Sequence, residues 1–176
     1  MNDIAALYLL ESLKSFKGLK SNAEKAFSQI SDNDFHYSTS LESNSVAIII
    51  KHLAGNMISR FTDFLTTDGE KPGRNRDGEF SDAFQSKEEI IAYWEKGWQC
   101  LFNAINALKE DELSKTVYIR NEPHTVLRAI HRQLTHYAYH CGQIVFLCKQ
   151  IKAEQFKSLS IPRGESNKYQ NEAPKP

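Results

Sequence analysis

The sequence lacks the features that mark several large classes of protein. Its 22 Lys and Arg residues are matched by 22 Asp and Glu residues, so no net charge draws the chain to nucleic acid or anionic lipid. No apolar run approaches the roughly 18 residues of a membrane-spanning helix, and the first residues lack the basic segment of a signal peptide. We therefore expect neither a membrane nor a nucleic acid among its partners.

Cysteines are few and are poorly placed for disulfide bonds. The chain has three, and Cys141 and Cys148 stand seven residues apart on a predicted helix, about 10 Å along its axis. That separation is too long for a disulfide. The odd number of cysteines and this spacing predict a reduced, cytoplasmic setting.

Helical periodicity accounts for most of the chain. Apolar residues recur at steps of three and four over residues 4–30, 46–65, 86–108 and from about 125 onward. Predicted N-terminal caps are Asn44 or Ser45, Ser86, and His124 or Thr125. The sequence predicts an all-α protein, an antiparallel four-helix bundle in one domain over residues 1–160, with an irregular tail at 161–176.

Two connections interrupt this helical pattern. Residues 66–85, between helices two and three, contain charged residues of both signs, three glycines and one proline, which predicts a long loop. Loops of this length often serve as lids or binding loops. Residues 117–119 form a short β-branched and aromatic run, which we expect to end in a turn at 121–123.

The fourth helix contains a stretch, residues 133–148, with no charged residue, which predicts burial on nearly every side. Its main apolar face comprises Leu127, Ile130, Leu134, Ala138, Cys141, Val145 and Cys148. A second face comprises Thr135, Tyr139, Gly142 and Phe146. A monomeric bundle would leave this second face exposed to solvent, so the face predicts a homodimer interface. The alternative is that residues 35–44 or 66–85 of the same chain cover it.

The main chemical signal is a histidine pair. His136 and His140 lie four residues apart, so both rings can converge on one point, where a divalent metal would satisfy both. The alternative is two core imidazoles bonded to carbonyls or hydroxyls. His52 lies beside the apolar stripe of helix two and is the natural third ligand. Tyr137 occupies the position of the general-base Glu of HExxH, which disfavours peptide hydrolysis. The remaining histidines, His36, His124 and His131, are interpreted as structural or surface residues.

These motifs carry a family resemblance. The run KHLAGN at 51–56, followed by HxxxHxGQ at 136–143, resembles the DinB-like (damage-inducible) helical-bundle family, related to YfiT-type and to mycothiol- or bacillithiol-dependent enzymes. The stretches at 67–72, 74–80 and 160–164 are similar to those of a subgroup without an assigned function. The resemblance implies a four-helix bundle, commonly a homodimer, with an open three-histidine metal site formed by His52, His136 and His140. In relatives it implies thiol S-transferase activity.

Such a site favours one kind of chemistry. Three neutral imidazoles leave a divalent metal its full charge and an open position, and Zn, Ni or Fe would suit them. A thiol that enters that position loses its proton and becomes a nucleophile. We therefore predict a metal-dependent enzyme that activates a low-molecular-weight thiol for transfer to a small electrophile.

Other residues are candidates for supporting roles. Arg60, Arg74 and Arg76 can hold carboxylates or a sugar-linked cosubstrate, because a guanidinium presents a planar fork of donors. The alternative is that they pair with the loop acids Asp68, Glu70, Asp77 and Glu79. Asn56 or Gln143 can orient a ligating imidazole. Cys141 lies about 100° round the helix from His140 and is interpreted as core packing.

Two other functions stay open. One is a non-catalytic metal-binding or interaction dimer of the stress response. The other is a DNA-damage protein that contacts nucleic acid, which the zero net charge disfavours.

Overall fold

The computed structural model describes residues 3–81, 84 and 86–168. Its long helices are α1 (Asp3–Phe27), α2 (Val46–Phe61), α3 (Lys87–Asn106) and α4 (Val126–Lys152), and its strands are β1 (Thr116–Ile119) and β2 (Glu122–Thr125). Short 3₁₀ turns span Asn33–His36, Asp77–Phe80, Glu110–Ser114 and Ala153–Gln155. The described part is therefore mostly helical, as the sequence predicts, with a small two-stranded sheet. The predicted tail beyond Lys168 and positions 82, 83 and 85 of the predicted loop lie outside the described residues.

The helices begin at the predicted caps. The hydroxyl of Ser45 accepts from the backbone N–H of Ile48, that of Ser86 from Glu89, and that of Thr125 from Arg128. Each of these bonds satisfies one of the N–H groups that a helix leaves unpaired in its first turn. The caps thus fix the starts of α2, α3 and α4.

The first three helices end earlier than predicted, at Phe27, Phe61 and Asn106. The apolar residues just past these ends still pack against the core: Ile30 is buried, and Leu65 and Leu108 are partly buried. The apolar periodicity therefore predicted correctly which residues at these ends are buried, although the backbone there is no longer helical.

The strands form an antiparallel hairpin in which Thr116 is opposite Thr125. Its turn residues, Arg120 and Asn121, both have positive φ, at 57° and 62°. Two such residues in a row match the twist of paired strands. The predicted strand is confirmed, but the turn lies earlier than predicted, and Pro123 is part of β2.

The core lies between two closely packed helix pairs, α2 with α3 and α1 with α4. A Cβ on Gly97 would lie 2.7 Å from the Cα of Ala54, so only glycine permits this approach of α3 to α2. Large rings fill the centre, with the centroids of Trp98 and Tyr137 6.0 Å apart and both side chains fully buried. None of the helices in the described part of the chain combines the length and apolarity needed to cross a bilayer.

The prediction that residues 133–148 are buried on nearly every side is wrong. Tyr139 and Phe146 are 64% and 61% exposed, and from the predicted main face Leu127 and Ala138 are also exposed. The buried face of α4 comprises Val126, Ala129, Ile130, Gln133, Tyr137, Cys141, Ile144 and Cys148. The buried face is rotated from the predicted one, because the large ring of Tyr137 packs in the core and Ala138 faces outward. An uncharged stretch is therefore not buried on every side.

Candidate functional site

The structure brings together the three histidines that the sequence singled out. His52 projects from α2, and His136 and His140 project from one flank of α4. One ring nitrogen from each lies within 4.8 Å of the other two. The ring centroids of His140 lie 4.9 Å from His52 and 4.8 Å from His136. Among the described residues, these three form a cluster that could hold a metal ion.

Hydrogen bonds fix the tautomers of two of the rings. Nδ1 of His52 lies 2.9 Å from Oε2 of Glu79, and Nδ1 of His140 lies 2.8 Å from Oε1 of Gln143. Because both oxygens are acceptors, each Nδ1 carries the hydrogen and donates it. The Nε2 atom of each ring therefore keeps its lone pair, which is the arrangement found in metal-ligating histidines.

The spacing of the His52 and His136 nitrogens fits a shared ion. Nε2 of His52 lies 3.2 Å from Nε2 of His136. Two nitrogens held at about 2.0–2.1 Å by a tetrahedral ion would lie about 3.3 Å apart. Nδ1 of His136 is buried without a hydrogen-bond partner in the described part of the chain, so no neighbour prevents its Nε2 from presenting a lone pair.

Burial keeps the rings of His136 and His140 neutral, which is the form that binds metals. Burial, followed by the nearby His140 and His52, lowers the pKa of His136 to about 3. Burial likewise lowers the pKa of His140. Neither ring would therefore carry a proton in competition with an ion near pH 7.

The sequence did not predict the role of Glu79. Its carboxylate accepts from His52 and from Nε of Arg74, the latter at 2.7 Å, and Arg74 Nη2 lies 2.8 Å from the second oxygen. Burial alone would raise the pKa of Glu79, but the hydrogen bonds from His52 and Arg74 hold it below its usual value. The ionised carboxylate is thus a strong acceptor for the Nδ1 hydrogen of His52.

Close packing holds Glu79 and its neighbour Phe80 against α2. A Cβ on Gly55 would lie 2.6 Å from Oε1 of Glu79, so glycine leaves room for the carboxylate. The ring of Phe80 stacks on His52, with centroids 4.9 Å apart. No local spacing links position 79 to position 52. The only sequence signal was the density of acids and arginines in the loop.

The segment between α2 and α3 is itself attached to the hairpin. Asp68 accepts from the backbone N–H groups of Arg120 and Asn121, at 2.9 and 2.7 Å. Glu70 accepts from Arg60, Arg74 and Arg120, and these contacts outweigh burial and lower its pKa to about 2. The segment is thereby held as one wall of the histidine site.

The predicted supporting residues have different surroundings. Gln143 contacts His140, whereas Oδ1 of Asn56 accepts from the hydroxyl of Tyr137, at 3.0 Å, and not from a histidine. Arg60 donates to the carbonyl of Gly69 and to Glu70, and Arg74 binds Glu70 and Glu79. For both arginines the structure shows the ion pairing that the sequence left open as the alternative. Arg76 is exposed and has no ion pair among the described residues.

An open cavity of about 470 Å³ exposes the cluster. Its lining comprises His52, Asn56, Arg60, Arg74, Arg76, Phe80, Arg120, Arg132, Thr135, His136, Tyr139 and His140. Cys141 is buried in the core, and burial raises the pKa of its thiol to about 12. This confirms its interpretation as core packing and makes it a poor nucleophile.

The fold and the cluster define a helical protein with a three-histidine pocket that could hold a metal ion. The chain belongs to the family described as "Protein of unknown function (DUF1572)", whose profile matches residues 3–165. This is a DinB-like family of the YfiT superfamily, so the resemblance seen in the sequence is confirmed. No curated protein matches the chain.

Proposed function

We propose that this protein is a metal-dependent enzyme whose ligands are His52, His136 and His140. The main support for this proposal is the convergence of the three rings, with one nitrogen of each within 4.8 Å of the others. Glu79 and Gln143 act as acceptors for the rings of His52 and His140, which leaves both Nε2 atoms available. Imidazole nitrogens bind Zn, Ni and Fe, so these ligands do not select one of the three ions.

The proposed reaction transfers a low-molecular-weight thiol to a small electrophile. A divalent ion would supply the positive charge that favours thiolate over thiol. The sulfur would then form a bond to the electrophilic carbon, whose leaving group departs with the bonding pair. The thiol step rests on the likeness to DinB-like relatives, and the same likeness supports an antiparallel four-helix bundle. The length of the chain favours one domain over residues 1–160, and the number and spacing of its cysteines favour a cytoplasmic setting.

The test begins with metal analysis of the purified protein and of His52→Ala. We expect a nearly stoichiometric divalent metal in the wild type and its loss in the variant, with folding checked by thermal melting. A screen of small thiols and electrophiles should then show transfer that a chelating resin abolishes and added metal restores. Equal metal in the variant would remove His52 from the ligand set, and no transfer with any thiol would favour the non-catalytic alternative.

We also propose that the protein forms a homodimer through α4. Tyr139 and Phe146, on the predicted second face, remain exposed among the described residues, so no described segment of the same chain covers them. Exposed aromatic side chains of this kind are frequent anchors of interfaces. A non-catalytic metal-binding dimer would use the same face.

One substitution tests the dimer. Light scattering should report about twice the chain mass for the wild type, and Phe146→Glu should give a folded monomer, since a charge would be buried at the contact. Leu41→Glu, at a side chain that is fully exposed elsewhere, is the matched control and should stay dimeric. A wild type that is monomeric at high micromolar concentration would exclude the dimer.

A further inference from the structure

The cavity over the histidines is lined by an excess of positive charge. Five arginines face it, Arg60, Arg74, Arg76, Arg120 and Arg132, and none of its lining residues in the described part of the chain is acidic. Glutamates outside this lining bind three of these arginines: Glu70 binds Arg60, Arg74 and Arg120, and Glu79 also binds Arg74. Two carboxylates thus serve three guanidiniums.

The other two arginines, Arg76 and Arg132, have no such partner. Neither makes a side-chain hydrogen bond or ion pair with a described residue. Arg132 lies one helical turn before His136 on α4, and Arg76 immediately precedes the 3₁₀ turn that carries Glu79. The two guanidiniums therefore reach the cavity from its two different walls.

We propose that Arg76 and Arg132 form an anion-binding subsite, which holds a carboxylate or phosphate group of the substrate while its reactive end lies at the histidines. The inference deepens the proposed function and rests on it, because the anion would be part of the substrate of that site. A guanidinium suits either group, since its fork of donors matches two oxygens at once.

The neighbouring side chains narrow the class of ligand further. Phe80 and Tyr139 also line the cavity and offer ring faces beside the charged groups. A cavity of about 470 Å³ has the size of a small-molecule site. The subsite therefore fits a small organic anion with an apolar portion. Arg60 and Arg74 have a different role, because their ion pairs hold Glu70 and Glu79 in place.

The test measures binding without turnover. Succinate and inorganic phosphate are titrated calorimetrically, in low salt, into the protein as purified and, in parallel, into protein passed over a chelating resin. The resin is preferable to a soluble chelator, which is itself a polycarboxylate. The variants are Arg76→Ala and Arg132→Ala. The matched control is Arg128→Ala, which removes the same charge from an exposed position on α4 outside the cavity.

We expect millimolar binding of at least one anion to both forms of the protein. Each subsite variant should weaken it about tenfold, the effect of losing one charge-assisted contact, while Arg128→Ala stays close to the wild type. Tighter succinate indicates a carboxylate ligand, and tighter phosphate indicates a phosphate ester. Thermal melts without anion check that each variant is folded.

Three results would overturn the subsite. These are no binding of either anion, equal weakening by Arg128→Ala, and binding that requires the metal, which would mean that the anion lies on the ion itself. Each can occur while metal occupancy in the His52 experiment stays as expected, so a wrong subsite is distinguishable from a wrong metal site.

Discussion

The two walls of the histidine pocket are held together by different kinds of interaction. The α4 wall carries His136 and His140 on one continuous helix, whose geometry alone keeps them adjacent. The described part of the second wall, between α2 and α3, has one 3₁₀ turn, and this wall depends on ion pairs of Glu70 and Glu79 with arginines. The placement of His136 beside His140 therefore depends on helix geometry, whereas the placement of Glu79 beside His52 depends on ion pairs as well.

The largest effect is expected on the α4 wall. Replacing His136 with Ala removes a proposed ligand, and two histidines rarely hold an ion. We expect metal affinity to fall by more than the roughly 10–100-fold that the loss of a supporting hydrogen bond causes. Metal content after dialysis measures this. His131→Ala, on the same helix but exposed and outside the cluster, is the control and should keep its metal.

A smaller effect is expected on the second wall. Glu79→Gln keeps the shape of the side chain but removes the charge that accepts from His52 and Arg74. Metal affinity should fall about 10–100-fold, as measured by competition with a coloured chelator. Glu154→Gln, at an exposed glutamate, should leave it unchanged. An affinity of Glu79→Gln equal to that of the wild type would mean that the second wall does not influence the ion.

The packing of the second wall can be tested without changing any charge. In Gly55→Ala the added methyl would lie 2.6 Å from Oε1 of Glu79, so the carboxylate must move. We expect a loss of about 1–3 kcal/mol of unfolding free energy, the usual effect of overpacking, with weaker metal binding. Gly18→Ala is the matched control, because its methyl meets no atom within 4 Å and should stabilise α1 by up to about 1 kcal/mol. Chemical denaturation measures both, and equal stability of the two variants would contradict the packing.

The dependence of stability on pH should separate the walls in metal-free protein. The pKa of His136 is about 3 in the folded protein against an ordinary 6.5, so between these pH values the ring is protonated in the unfolded chain but not in the folded one. Unfolding free energy should therefore fall as pH drops from about 6.5 toward 3. Glu79 has a lowered pKa, so its contribution is present above its ordinary 4.5 and is lost at lower pH.

Denaturation at a series of pH values measures these contributions. His136→Ala should make the profile less steep between 6.5 and 4.5, leaving the fall that the lowered pKa of His140 contributes. Glu79→Gln should lower the unfolding free energy by a constant amount above 4.5, and this difference should disappear as the pH falls below 4.5. A profile of His136→Ala that follows the wild type throughout the upper window would show that this ring titrates normally.

The same contrast explains what the sequence could predict. The spacing of four between His136 and His140 follows from helix geometry, and the capping hydroxyls of Ser45, Ser86 and Thr125 act within three residues. Such local relations are readable along the chain. Glu79 lies 27 residues from His52, and only the folded path of the intervening segment brings them together.

The error on α4 has a related cause. The run of residues 133–148 without charge was taken for a buried helix, yet Tyr139 and Phe146 face outward. Hydrophobicity shows that a side chain tolerates burial, but the neighbour that covers it is set by tertiary or quaternary packing. The sequence therefore placed the helix correctly and misjudged which of its faces are covered within the chain.

The β1–β2 hairpin is connected to both walls of the pocket. Its second strand runs directly into α4 at Thr125, while its turn, at Arg120 and Asn121, is bonded to Asp68 of the other wall. An opening of the hairpin would release both sides of the pocket in one event, so they should behave as a single cooperative unit. Amide hydrogens of the Asp77–Phe80 turn and of the hairpin would then exchange with solvent at a common rate, slower than those of a free loop.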